Sequence, residues 1–256
     1  MSQGTALVTG ASAGLGAEFA KLCAAGGYDV VLVARSAARL AELAAELVKT
    51  HGVKARPLAA DLADPTAPPE IFAQLAGTPV DLLINNAGFG VRGAYTETDW
   101  ARESSLMQVN MVALAHLTKL FLPEMVRRRS GRILNVASTA AFVPGPFMAL
   151  YYASKAFVLS FSEALSNEVE GTGVTVTVLC PGATRTEFAQ AAGIAHSALF
   201  RGATMGAAEV ARVGYRAMMA GKSSVIAGAR NRWMIRGVRL VPRSFAAAQA
   251  GKLNLS

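Results

Sequence analysis

The chain has 256 residues, 52% of them hydrophobic and 16% charged, with a formal net charge of +8. These proportions exclude an intrinsically disordered polypeptide and point to a large two-faced core, in one α/β domain or two small ones. The positive balance alone would suit nucleic acid, an anionic membrane surface or phosphorylated small molecules; with 7% aromatics and no nucleic-acid module pattern, the first of these has no support.

In chain order, apolar β-branched runs alternate with helical periodicity. A strand over 5–10 is followed by a helix over 15–27, then a strand over 29–35 and a helix over 36–52. Strands over 54–62 and 80–88 precede a long helix over 99–129. A strand over 131–138, a helix over 148–170, a strand over 173–182, a helix over 207–220 and a strand over 222–228 complete the series. Such alternation predicts a doubly wound parallel sheet of seven strands, Rossmann-like and layered α/β/α, in a single domain over 1–256. The stretch 186–206 is read as a substrate-covering segment and 229–256 as a C-terminal extension. Cys23 and Cys180 lie in separate apolar stretches and are expected as buried free thiols. The opening "MSQGTALVTG" lacks the basic start and apolar run of a signal peptide, and no window holds 18 uninterrupted apolar residues. A cytoplasmic location is the expectation.

Four features carry chemistry, and each also has an ordinary structural reading. The turn "TGASAGLG" (9–16) follows the first strand and opens the first helix. Gly10, Gly14 and Gly16 let the backbone turn sharply and approach a phosphate closely at the helix N-terminus, though a tight connection would use glycines too. At the end of the second strand an acidic residue would grip the ribose of NAD. Ala34 stands there instead, and Arg35 offers a guanidinium suited to a 2′-phosphate. Ala13 does not supply a second cation. Ser138 ends a strand, where a helix cap is the ordinary reading, and Asn110 sits in an apolar helix, where its amide must be satisfied. In "ALYYASKAFVLS" (149–160), Tyr151 and Lys155 share a helix face while Tyr152 lies about 100° away. An ammonium beside a phenol lowers the phenol's pKa, giving a proton donor and acceptor tuned toward neutrality. Packing with a snorkelling lysine is the plainer alternative.

The ordered set TGxxxGxG, NNAG (85–88), Asn110, Ser138, Tyr151-xxx-Lys155 and "PGATRT" (181–186) resembles the short-chain dehydrogenase/reductase family from residue 4 to about 228. The resemblance implies an NAD(P)-dependent enzyme acting on CH–OH donors, with NADP(H) preferred and NAD possible. It makes Tyr151 the acid/base, Lys155 the group that lowers its pKa and holds the nicotinamide ribose, and Ser138 the hydrogen-bond partner of the substrate oxygen. Asn110 would anchor a water linking Lys155 to solvent. Thr9, Gly10, Ser12, Ala13, Gly14, Leu15, Gly16 and Arg35 would hold the cofactor at the glycine turn. Asp61 and Leu62 would lie near adenine, Asn86, Ala87 and Gly88 beneath the cofactor, and Pro181, Gly182, Thr184 and Thr186 beside the carboxamide. Tyr152 has no family role and is read as packing. No metal is implied, because His51, His116 and His196 do not cluster.

Phe89, Phe142, Val143, Phe147 and Met148 are the expected substrate-side residues, so an apolar ketone, aldehyde or secondary alcohol fits better than a sugar. The stretches around "NNAGFGVRGAY" and "LVARSAARL" resemble a reductase branch that includes enzymes of 3-oxoacyl and steroid-like ketones. The family resemblance, together with apolar residues on more than one face, marks the helices 99–129 and 148–170 as the interface of a homodimer or homotetramer. A non-catalytic nucleotide sensor on the same fold is the rival reading, and a membrane-surface enzyme a third. The tail 228–254 alternates arginines with Trp233, Met234, Ile235, Val238, Leu240 and Val241. As a helix up to Pro242 it would cover the pocket or pack on a neighbour, or else lie on an anionic membrane.

Overall fold

The computed structural model describes residues 2–188, 204–238 and 240–255. Seven parallel strands form the central sheet: β1 (Thr5–Thr9), β2 (Asp29–Ala34), β3 (Ala55–Ala59), β4 (Leu82–Asn85), β5 (Gly131–Val136), β6 (Val174–Cys180) and β9 (Ser224–Ile226). Their spatial order is β3-β2-β1-β4-β5-β6-β9. The chain winds outward from β1 to β3, returns to β4 and winds out the other way. The reversal between β1 and β4 opens a crevice at the carboxyl ends of the strands. A minor pair, β7 (Thr184–Arg185) and β8 (Met205–Gly206), lies outside the sheet.

Successive strand residues point to opposite faces, and both faces are covered. Ala6 and Val8, Val30 and Leu32, and Leu82 and Ile84 face one core together with α1 (Gly14–Ala25), α2 (Ala37–His51) and α7 (Ala207–Met219), through Phe19, Leu40, Leu47 and Met218. Leu7, Val31 and Leu83 face a second core with Ile71, Leu117, Phe121 and Met125. Those residues come from α3 (Ala67–Gln74) and α5 (Leu114–Arg128), while α6 (Ala149–Glu168) packs along β6. Both cysteines are buried and free, as expected. A polar ladder crosses the middle of the sheet. The Asn85 amide donates to Thr118 Oγ1 (3.1 Å) and Asn135 Oδ1 (2.9 Å), and Asn135 donates to Ser162 Oγ (2.9 Å). It ties α5 and α6 to adjacent strands.

The structure departs from the expected elements in four places. The long helix is α4 (Trp100–Met107), a wider turn over Gln108–Ala113 and then α5. Helix α3 lies in a stretch given no element above; Pro68 and Pro69 sit in its first turn, where proline costs no N–H partner. Ser138 caps a short 3₁₀ turn, Thr139–Phe142. The tail forms two helices, α8 (Ala229–Val238) and α9 (Arg243–Leu255), the second starting just after Pro242.

Candidate active site

The crevice at the switch point is a cleft of about 350 Å³. Its floor begins at the glycine turn, where Gly10 and Gly14 adopt φ of +66° and +56°. Gly16 answers a different need: a Cβ there would lie 2.0 Å from the Gly10 carbonyl oxygen. Ala13, which precedes α1, supplies no side-chain cap, so the helix begins with backbone N–H groups turned toward the cleft and unmatched by any side chain. That is an anion cradle. Asn86 fixes it by donating to Thr9 O (2.9 Å) and Gly10 O (3.3 Å), while Thr9 Oγ1 accepts from the N–H groups of Asn86 and Ala87 at 3.0 Å.

Gly10, Ala13, Gly14 and Leu15 line the cleft on one side, with Arg35 beside them. Asn86, Ala87 and Gly88 line its base, and Pro181, Gly182, Thr184 and Thr186 its opposite edge. Thr9 is buried and works through Asn86, Gly16 packs behind the turn, and Ser12 faces a neighbouring surface depression with Arg39 and Glu42. Asp61 and Leu62 do not line the cleft. The Asp61 carboxylate accepts from its own turn at Ala63 N (3.0 Å), and Leu62 is a core residue. Arg39, four residues past Arg35, pairs with Glu187 at 2.8 Å and ties the start of α2 to the segment after the PG turn.

Ser138, Tyr151 and Lys155 converge on the other end of this cleft. The Ser138 Oγ accepts from Ala140 N (3.1 Å) and is a hydrogen-bond partner of the Tyr151 phenol, so the serine is at once a cap and a site residue. Lys155 is buried; its ammonium donates to Val136 O (2.9 Å) and sits 5.9 Å from the centre of the Tyr151 ring. The near-neutral phenol expected from the sequence is not what these groups produce by themselves. Burial pushes Tyr151 above the ordinary tyrosine value and the hydrogen bond with Ser138 offsets only part of this, while burial brings Lys155 down to about 8. The physical reason is that desolvation outweighs every other contribution at both groups.

Asn110 does not line the cleft but supports it from below. Its amide donates to Phe89 O and Ser154 Oγ, both at 3.0 Å, and its Oδ1 accepts from Phe89 N at 3.1 Å. Both amide hydrogens are therefore committed to protein groups, and the residue pins the NNAG segment to α6. A Cβ on Gly88 would come within 3.0 Å of Asn110 Oδ1 and 3.3 Å of Lys155 Nζ, so the glycine lets the lysine pass.

Beyond Ser138, Tyr151 and Lys155 the cleft is apolar, walled by Phe89, Ala140, Met148, Tyr152 and Phe188. Phe188 stacks obliquely on Tyr151 with ring centres 5.4 Å apart. Three expected residues are corrected. Phe142 turns away into a core with Leu114, Val158 and Val178, because the 3₁₀ turn rotates it inward. Val143 packs beside the cleft without lining it. Phe147, held at a φ of +65°, lies against α9 near Gly251. Tyr152, read as packing, does pack, but it also borders the cleft and donates its hydroxyl to Asn254 Oδ1 at 3.1 Å. Asn254, fully buried, donates in turn to Pro146 O at 2.9 Å. Nothing in the sequence marks Asn254, since its partners lie over a hundred residues away. Of the expected covering segment, residues 189–203 and with them His196 lie outside the described residues.

One cleft thus joins a glycine-lined helix start to Ser138, Tyr151 and Lys155. The short chain dehydrogenase family model matches residues 4–196. The very-long-chain 3-oxoacyl-CoA reductase of Aspergillus clavatus is 38% identical over 180 residues, covering 68% of this chain and 52% of that protein. A short-chain dehydrogenase from Sphingobium yanoikuyae in complex with NADPH superposes with a TM-score of 0.83 at 33% identity, covering 93% of each chain. A 7beta-hydroxysteroid dehydrogenase superposes with a TM-score of 0.89 at 27% identity, covering 96% of each. The chain spans 52–62% of the length of the first curated relatives it matches. It belongs to the short-chain dehydrogenase family.

Proposed function

We propose that this enzyme interconverts bulky apolar ketones and their secondary alcohols with NADPH as the preferred reductant. The observation that carries the reading is one cleft with Ser138, Tyr151 and Lys155 at one end, an apolar wall beyond them and Arg35 beside the phosphate cradle at the other. The bound nicotinamide supplies or accepts the hydride. Tyr151 gives its proton to the carbonyl oxygen in reduction and takes it back in oxidation, while the Ser138 hydroxyl donates to the same oxygen as charge develops there. Lys155 would hold the ribose of the bound cofactor, its ammonium already placed at the cleft by Val136 O. Asn110 acts as a positioning residue for Phe89 and α6, and a water relay to Lys155 would have to start from atoms other than its amide hydrogens. The apolar wall, together with a 3-oxoacyl-CoA reductase and a hydroxysteroid dehydrogenase among similar proteins, favours a ketone on a long or fused hydrocarbon frame.

The test is a panel of ketones and alcohols followed by NADPH and NADH absorbance, with Arg35→Asp beside the native chain. Turnover of bulky apolar ketones is expected, with NADPH favoured. The substitution should move the preference toward NADH, because it swaps a charge-assisted contact for like-charge repulsion. A native enzyme that already favours NADH in kcat/KM would remove the NADP assignment.

A further inference from the structure

The net positive charge of this chain lies at one end. Up to Glu209 there are sixteen Lys or Arg residues against seventeen carboxylates; after it there are nine against none, so the last 47 residues carry +9 and the rest −1. Exposed apolar surface gathers in the same place. Seven of the thirteen large hydrophobic side chains exposed among the described residues lie between 233 and 255.

Helices α8 and α9 are held to the body by a narrow inner face. Ile235 is the buried residue of α8, which packs on the Thr139–Phe142 turn; Ala246, Ala250, Gly251 and Asn254 are those of α9. Outward stand Trp233 at 70% exposure, Leu240 at 87%, Phe245 at 54% and Leu255 at 55%. Arg230, Arg232, Arg236, Arg243 and Lys252 are exposed among them, and the Arg236 guanidinium lies 5.1 Å over the Trp233 ring. None of the ion pairs among the described residues reaches beyond Glu187. Through Asn254 and Tyr152 the second of these helices, α9, braces the apolar end of the cleft.

We propose that α8 and α9 form a face that docks on an anionic lipid surface. Rings and aliphatic side chains set among arginines, with no carboxylate, suit the boundary between headgroups and acyl chains. A second copy of this chain is a poor occupant, since a two-fold contact would set the cationic face against itself. Nucleic acid would use the cations but leave Leu240 and Leu255 with nothing to bind. Docking here sets the apolar end of the cleft beside the lipid, where an apolar substrate is concentrated.

The experiment is co-sedimentation of the full chain with phosphatidylcholine vesicles, with and without phosphatidylserine. Two variants accompany it, Arg230→Glu/Arg236→Glu/Arg243→Glu and Trp233→Ser/Phe245→Ser, and NADPH-dependent turnover of a small soluble ketone reports that each is folded. Binding is expected to the phosphatidylserine vesicles, roughly tenfold weaker or more in the charge variant and several-fold weaker in the apolar variant at equal salt. No binding by the native chain overturns the proposal. So does binding that the apolar variant retains in full, which would be adsorption by charge alone, or self-association through this face without vesicle binding. Vesicle binding by a chain that turns over no ketone would instead leave the docking face standing and remove the ketone reading on which the substrate argument rests.

Discussion

Tyr151 and Tyr152 are chemically identical and adjacent, and their surroundings separate them. Tyr151 meets Ser138 and the ring of Phe188; Tyr152 spends its hydroxyl on Asn254. Tyr151→Phe is therefore expected to lower kcat by ~10²–10⁴ with cofactor affinity nearly unchanged, because only the proton donor is lost. Tyr152→Phe should keep small-ketone turnover within a few-fold and cost about 1–3 kcal/mol of stability, since the buried Asn254 oxygen loses its donor. Equal losses of activity in the two variants would reverse the assignment. Lys155 allows a different check. Its pKa is lowered by burial from 10.5 to about 8, so between those values the unfolded chain binds the extra proton and native stability rises with pH. Lys155→Met removes that ionisation. The variant is expected to be more stable than the native chain below pH 8, by on the order of a few kcal/mol, with the advantage gone above pH 10.5. Urea melts at pH 7 and pH 10.5 measure it, and a difference independent of pH would contradict the buried-charge account.

At the scale of elements, the strand–turn–helix unit β1–α1 is the most legible piece and the most constrained. Its glycines could be read from "TGASAGLG" because spacing alone placed them between a strand and a helix. Gly16→Ala would set a methyl 2.0 Å from Gly10 O and 2.6 Å from the Asn86 amide. Backbone cannot move aside as a flexible side chain can, so a loss of about 1–3 kcal/mol is expected. NADPH binding, followed by cofactor fluorescence, should fall with it. Other elements were hidden for reasons of the same kind. The wider turn around Asn110 keeps an apolar, helical pattern in sequence, and only the structure shows that its amide bonds to Phe89 and Ser154 from that turn. In α9 the exposed and buried faces differ by which neighbours Asn254 and Gly251 find, which no local pattern records.

For the whole molecule, the apolar faces of α4, α5 and α6 exceed what one sheet covers. Val112 and Phe157 remain 49% and 38% exposed, and Phe157 stacks on Phe161 with ring centres 5.6 Å apart. We propose that these helices pair across two-fold axes in a homodimer or homotetramer, as their composition suggests. Light scattering at micromolar concentration should then give a mass that is an even multiple of 26.6 kDa, and a purely monomeric solution would refute it. Such an interface would leave α8 and α9 at the molecule's cationic end free for a different occupant.

The sequence by itself determined the alternation of strands and helices, the phosphate cradle and the pairing of Tyr151 with Lys155. Each of these depends on residues close in the chain, where the periods of helix and strand and the freedom of glycine act directly. Only the tertiary structure decided which aromatic residues wall the cleft, that Asn110 supports rather than lines it, and that Asn254 braces Tyr152. It also decided the surroundings of the two ionisable groups: burial raises the phenol and lowers the ammonium, because desolvation depends on everything that surrounds a side chain and not on its neighbours in sequence.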